Sequence, residues 1–417
     1  MGQKQMSAST RQIREANLRA VLHRMWDSDP VTGSDLMAAT GLTRATVHDV
    51  CEDLVRLGWI HELENQREHG GYRMGRPARR YAFRPTAGVV VGVDCGAHRA
   101  TATVADLRGH TLAHHSRAFS GPEHPPKERL DVLGRTIREA LEAASPTAEQ
   151  VLAVAVGVPA PVDVDGHTAA AASSFWERMN PDIAEQLAQR HGWTVLVDND
   201  ANLAALAEGW RGAGRGATNF VTLLTGERLG AGIVEGGRLL RGARGRAGEM
   251  GFLDLVEGVG SPWGLAALAR DWAWQAVRDP QAHPTSSLRK LDPQDIDAQA
   301  VFAAAAAADP LAEEVVDRLG ARFARVVSVL SVLLGVERIV LAGALAGSYT
   351  GVLQIIERDL PLYVTPPLPT VVASALGGDA VSVGAVRQAL DHVFEHALEI
   401  ELPGSVLGAQ GQDPTSK

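Results

Sequence analysis

Apolar residues recur at steps of three and four through the start of the chain. Ile13, Leu18, Val21, Leu22, Met25 and Trp26 form one stripe, which predicts a helix. After the turn DSDPVTGS, Leu36, Met37 and Ala39 predict a short second helix, ended by Gly41. Val47, Val50, Cys51, Leu54, Val55 and Leu57 predict a third, RATVHDVCEDLVRLG, with Thr43 as its cap and Gly58 as its stop. The period then shortens. WIHELE (59–64) alternates as a strand does, and RRYAFRP (79–85) can return beside it. Helix, helix, turn, helix and hairpin is the order of a winged helix-turn-helix.

A different pattern begins at residue 88. GVVVGVDCGAHRATATVADLRGH (88–110) reads as strand, glycine turn, strand and polar turn. NFVTLLTGERLGAGIVEGGRLL (219–240) repeats that plan, which predicts a duplicated α/β lobe. Between them, VLAVAVGVPAPV (151–162) is a buried strand running into a proline loop. WTVLVDND (193–200) is a strand ending in acids, followed by the helical ANLAALAEGWRG (201–212). A helix through 312–334 leads into the strand ERIVLAG (337–343), and a last helix covers 379–398. The longest apolar runs, 300–308 and 326–336, fall short of the roughly 20 residues that span a bilayer and predict buried helix.

Composition narrows the classes. With 417 residues the chain exceeds one ordinary core. Two cysteines, Cys51 and Cys95, cannot make a disulfide framework or a cysteine-rich zinc site, and a reducing cytoplasm is the expected compartment. The start of the chain has no apolar signal-peptide core. Charge changes the picture more. Residues 1–86 carry 13 Lys/Arg against 10 Asp/Glu, and the remainder 27 against 39. Within 67–84 there are six arginines and one acid, Glu68. A basic segment on an acidic protein suits a nucleic-acid contact at one end, or a solvated linker.

Two sets of residues carry candidate chemistry. On the third helix, Arg44, Thr46 and His48 point away from the apolar stripe, at the end that would enter a major groove. A small protein-interaction module is the alternative. In YRMGRPARR (72–80), Gly75 and Pro77 flank Arg76 in an extended, narrow segment with Arg73, Arg79 and Arg80. Such an arm can enter an A·T-rich minor groove, or it is an ordinary wing turn. In the larger part, Asp198, Asn199, Asp200 and Glu249 fall at strand ends, where two-lobed α/β folds bind ligands. Carboxylates accept hydrogen bonds from sugar hydroxyls, and Asp200 could act as a general base. Asp198 is read instead as a cap of the following helix.

In this order the motifs resemble the repressor/open-reading-frame/kinase (ROK) family, in its transcription-regulator branch. The resemblance runs from about residue 10 to 400, and rests on GLTRATV, GRP, GVDCGAHRATATVADLRG, GVPAPVDVDG, VDNDANLAALAE, GAGIVEGGRLLRGARGRAGEMG and LGGDAVSVGAV. It implies a winged helix-turn-helix followed by a two-lobed, actin-like ATPase (RNase H-like) ROK domain. It also implies a homodimer or dimer of dimers and a sugar-type effector. The family kinases' base maps to Asp200 and a sugar-binding glutamate to Glu249. The family's sugar-binding asparagine is replaced by Ser173 or Ser174, ahead of Trp176.

Departures from the family pattern are as informative. The family's histidine after GE-G is Phe252, and its zinc-binding cysteines are absent from 252–270, so no metal is expected. The first phosphate motif, D-x-G-G-T-K, reads Asp94, Cys95, Gly96, Ala97, His98, Arg99. The second has Glu227 and Arg228 inside its glycine loop, although arginine could hold a phosphate directly. LAGALAG (341–347) lacks the usual paired glycines.

The expected organisation is a winged helix-turn-helix over 1–70, a basic arm over 71–87, the ROK domain over 88–400 and a disordered tail over 401–417. The expected function is a DNA-binding regulator, as repressor, of carbohydrate-related genes, without kinase activity or cofactor. Its expected partners are a pseudo-palindromic double-stranded operator and a sugar effector held by Ser173, Trp176, Asn199, Asp200 and Glu249, with no membrane. A sugar kinase with a DNA-binding head, or a ROK regulator that answers to a protein partner, are the alternatives.

Overall fold

The computed structural model describes residues 2–63, 79–121, 124–145, 150–168, 174–281 and 283–402. Local chemistry sets the first elements. Helix α1 (Gly2–Trp26) leads to strand β1 (Val31–Thr32) and helix α2 (Gly33–Thr40). Thr32 and Asp35 form a reciprocal capping box at the start of α2, and Gly41 ends it with φ 72°. Thr43 caps α3 (Arg44–Arg56), and β2 (Ile60–Leu63) and β3 (Arg80–Phe83) follow. The sequence treats 27–34 as turn. Val31 instead pairs with Tyr81, so the wing has three strands in the order β1-β3-β2. A two-residue strand has no signal of its own; β3 supplies its partner. Val55, expected inside, is 40% exposed.

The N-terminal lobe consists of β4 (Val89–Cys95), β5 (Arg99–Asp106), β6 (Thr111–Ala118), α4 (Pro126–Ala144), β7 (Val151–Val158), α5 (Ser174–Met179), α6 (Ile183–His191) and β8 (Val195–Asn199). Helix α7 (Asp200–Arg211) crosses to the second lobe. That lobe has β9 (Phe220–Thr225), β10 (Leu229–Glu235), β11 (Arg238–Leu239), α8 (Leu265–Ala276), α9 (Ala298–Ala306), α10 (Pro310–Leu334), β12 (Arg338–Ala342), α11 (Thr350–Asp359) and β13 (Thr370–Ala373). Helix α12 (Ala380–Glu395) returns to the first lobe.

The two sheets run β6-β5-β4-β7-β8 and β11-β10-β9-β12-β13. Each is an antiparallel hairpin extended by parallel strands, which is the duplication the glycine-turned hairpins predict. Val332 and Leu333, read from sequence as buried, are 70% and 71% exposed at the end of α10.

The core of the head is continuous with that of the first lobe. Leu22, Trp26, Trp59 and Phe83 belong to one buried cluster with Val90 of β4 and with Ala389 and Val393 of α12. The Trp26 ring lies 4.5 Å from Phe83 and 5.1 Å, edge-on, from Phe394. His23 stacks on Phe394 at 3.8 Å. Arg19 donates to the Glu395 carbonyl and pairs with Glu399 at 3.3 Å. Helix α12 packs in turn against α7 and β4 through small residues. A Cβ on Gly384 would overlap the Leu203 carbonyl, and one on Gly92 would overlap the backbone of α12.

Candidate functional site

Three carboxyls from different elements converge where the lobes meet. Asp94 ends β4, Asp200 opens α7, and Glu249 is bridged in antiparallel fashion to Gly230 of β10. All three are half-buried. Burial pushes Asp200 up to about 7, helped by the negative charge of Asp94 and Glu249 and opposed by the Ala201 N–H it accepts at 2.8 Å. Burial also pushes Asp94 up to about 6, against the pull of Arg129 and Arg99. Glu249 is raised by burial and lowered by Arg246 and Arg228. Carboxyls poised near neutrality can both donate and accept, as a ring of hydroxyls requires.

The neighbouring side chains are largely spent on holding this arrangement. Asn199 is the helix cap: its Oδ1 accepts from Ala201 N (3.0 Å) and Asn202 N (3.2 Å), and its Nδ2 donates to the Ala160 carbonyl at 3.1 Å. It therefore positions Asp200 and has little left to offer a ligand. Asp198, expected to be that cap, is a buried ion-pair centre. It receives Arg241 at 2.7 Å, Asn202 at 3.0 Å and Gln388 of α12 at 3.2 Å. The cap role falls to Asn199 and not to Asp198, because the side chain one residue before the helix reaches its free N–H groups.

Trp176 on α5 is half-buried, with the Arg246 guanidinium 5.9 Å from its ring. Ser173 lies outside the described residues. The sequence reading missed Arg129. This fully buried cation donates to the carbonyls of Gly96 (2.9 Å), Met179 (3.0 Å) and Cys95, and so fixes the turn behind Asp94. Its only signal in sequence is a charge on the apolar face of α4.

The second glycine loop is tied down. Thr225 Oγ1 lies 2.9 Å from the Tyr349 hydroxyl and donates to the Ala342 carbonyl at 2.9 Å. Glu227 pairs with Arg270 at 2.7 Å. Arg228 is bridged to Trp263, its guanidinium 5.3 Å from that ring. Leu229 N–H donates to the Pro262 carbonyl and Gly264 N–H to the Glu227 carbonyl. Phe252 is 39% exposed. In the segment where the family's zinc cysteines are missing, the buried Arg322 donates to the carbonyls of Val259 (3.0 Å) and Ser261.

At the other end of the molecule, Arg44 and His48 are exposed on α3, and His48 lies 3.3 Å from Glu52. Thr46 is half-buried, its hydroxyl 2.9 Å from that of Thr43, so it belongs to the cap. Arg79 lies 3.5 Å from Glu62, and Arg80 opens β3, paired in register with Thr32. Arg73, Gly75, Arg76 and Pro77 lie outside the described residues.

The ROK family model matches residues 90–391. The chain belongs to the ROK family. The DNA-binding transcriptional dual regulator NagC of Escherichia coli is 25% identical over 387 residues, covering 91% of this chain and 90% of that protein. A putative xylose repressor of Caldicellulosiruptor is 27% identical over 244 residues, and that match spans only 59% of the repressor's own length. A glucokinase of Halalkalibacterium halodurans is 30% identical over 249 residues, 56% of this chain and 74% of the enzyme.

Among solved structures, a ROK transcriptional regulator homologous to the E. coli MLC protein superposes with TM-score 0.75 at 24% identity. It covers 92% of this chain and 98% of its own. A Streptomyces griseus glucokinase in complex with glucose and AMPPNP superposes with TM-score 0.61 at 27% identity, over 73% of this chain. The former likeness spans the head and both lobes, and the winged helix-turn-helix and actin-like ROK fold expected from sequence is the observed one.

Proposed function

We propose that the protein is a DNA-binding transcriptional regulator, acting as a repressor, whose inter-lobe cleft takes a small carbohydrate and does not phosphorylate it. The observation that carries this reading is the single helix shared by cleft and head. Gln388 of α12 reaches Asp198, beside Asp200, and Phe394 near the end of the same helix holds His23 and Trp26 of the head. A ligand that changes how α7 and α12 sit must also move the head, and so bias DNA affinity. Relatives that span nearly the whole chain are regulators, which supports the same reading.

In this proposal Asp94, Asp200 and Glu249 contact the effector. Asn199 and Arg129 position two of them, and Trp176 offers an apolar ring face. Arg44, His48, Arg79 and Arg80 face DNA with the arm of Arg73 and Arg76. A homodimer presents two heads to a pseudo-palindromic site in the cytoplasm. Among the described residues, no helix is long and apolar enough to cross a membrane.

The test is a thermal-shift panel of neutral and phosphorylated sugars, and of ATP with magnesium. A ligand at 100 times its Kd stabilises by about 2.7 kcal/mol. A shift with a sugar and none with ATP is the expected result. One observation favours a second reading. Asp200, pushed up to about 7, is tuned as a general base, and a glucokinase is among the relatives. Sugar-dependent ADP release that disappears in Asp200→Asn would replace regulator by kinase.

A further inference from the structure

We infer that Asp49, with Ala45 one turn before it, is the base-reading position of α3, and that Asp49 selects a cytosine. This rests on the reading of the head as DNA-binding. Helix α3 buries Val47, Val50, Cys51 and Leu54. At 3.6 residues per turn, the line opposite that stripe runs through Ala45, Asp49, Glu52 and Arg56. All four are exposed. The residues the sequence pattern singles out stand on the flanks of this line: Arg44 on one side, and Thr46 on the other with its hydroxyl engaged by Thr43.

The acids of this helix are not equivalent. Asp53 is buried and held by Arg14 and Arg56. Glu52 lies 3.3 Å from His48. Asp49 has no ion-pair partner among the described residues, and it sits midway along the outward line. A carboxylate brought against a phosphate polyanion is repelled unless a base edge donates to it. In the major groove the cytosine 4-amino group is the donor that a carboxylate accepts from. Ala45 presents a methyl about 6 Å nearer the helix start, within reach of a thymine methyl one or two base steps away.

A carboxylate on cytosine has a specific signature. Selection of duplexes from a randomised pool by the full-length wild type should yield a fixed C·G pair. Replacing that pair should weaken binding about tenfold, the weight of one good base contact. Asp49→Ala should erase the preference at that pair alone, and bind random duplex equally well or better, because a repulsion has gone. Asp49→Asn should move the preference toward adenine, whose edge an amide reads. Asp49 is exposed and holds no other element, so both variants should melt with wild type.

Unchanged preferences at every position in Asp49→Ala, or equal loss on selected and random duplex, would overturn the assignment while leaving the head a DNA-binding domain. A wild type that enriches no sequence would overturn the DNA-binding reading and this assignment with it.

Discussion

In the N-terminal lobe the first hairpin turns through Asp94, Gly96 and His98; in the C-terminal lobe the matching hairpin turns through Thr225, Gly226 and Arg228. Their strand orders are the same, and their turns are fixed from opposite sides. Arg129 grips the first turn from behind, through main-chain carbonyls, and leaves the Asp94 carboxyl facing Asp200. The second turn is gripped through its own polar groups. Thr225 is taken by Tyr349, Glu227 by Arg270, and Leu229 N–H by Pro262. These contacts brace the side chains of the second turn and its Leu229 N–H, while Gly226 at the tip of the turn has open space around it. One turn keeps a titratable carboxyl at the lobe boundary, while its twin is a braced joint.

Both lobes lean on α7 through a glycine, and the largest effects should come from there. A Cβ on Gly384 would overlap the Leu203 carbonyl, and one on Gly232 the Ala201 carbonyl. Gly384→Leu and Gly232→Leu should each destabilise by about 3 kcal/mol or more in chemical denaturation. If Gly232→Leu is tolerated, the second lobe is no rigid joint and the comparison fails.

Next in size, Arg129→Leu removes a buried cation and leaves main-chain carbonyls unpaired. It should cost about 3 kcal/mol. Its counterpart Arg270→Leu breaks an exposed pair and should cost about 0.5 kcal/mol. Equal losses in urea titrations would mean that the two turns are held alike.

The raised carboxyls predict a pH dependence centred on the lobe boundary. Folded Asp200 and Asp94 bind protons more tightly than the usual Asp value of 3.8, reaching about 7 and 6. Their contribution to stability is therefore fully present below pH 3.8 and is lost as pH rises to about 7. Asp200→Asn should stabilise the fold at pH 8 by on the order of 2 kcal/mol after discounting for partial exposure, and change little at pH 4, as read by denaturation at both pH values. A gain at both pH values would contradict the charge crowding. Tyr349→Phe removes one buried hydroxyl pair and should cost about 1 kcal/mol by thermal melts. Sugar affinity should be unchanged by it.

Much of this fold could be read in advance because local signals agree with the global one. Thr43 and Gly41 mark helix ends by their own chemistry, and the glycine-turned hairpins announce the repeat. What stayed hidden depends on distant partners. Val31–Thr32 becomes a strand only beside β3. Asp94, Asp200 and Glu249 come from three separate elements, so the sequence could name the last two as candidates but could not bring the three together. In sequence Asn199 has no mark that its side chain is spent on the helix cap, and Arg129 is one charge among many on α4. The fusion of the head with α12 joins residues near 22 and 393, a contact with no local signature.

Coupling of cleft and head is read out by DNA affinity with and without sugar. A duplex selected by the wild type would be titrated by fluorescence anisotropy across a carbohydrate panel. One carbohydrate is expected to change the Kd for DNA at least about fivefold. Asp200→Asn is expected to bind DNA normally and to lose that response. DNA affinity indifferent to every sugar that binds the cleft would contradict the coupling.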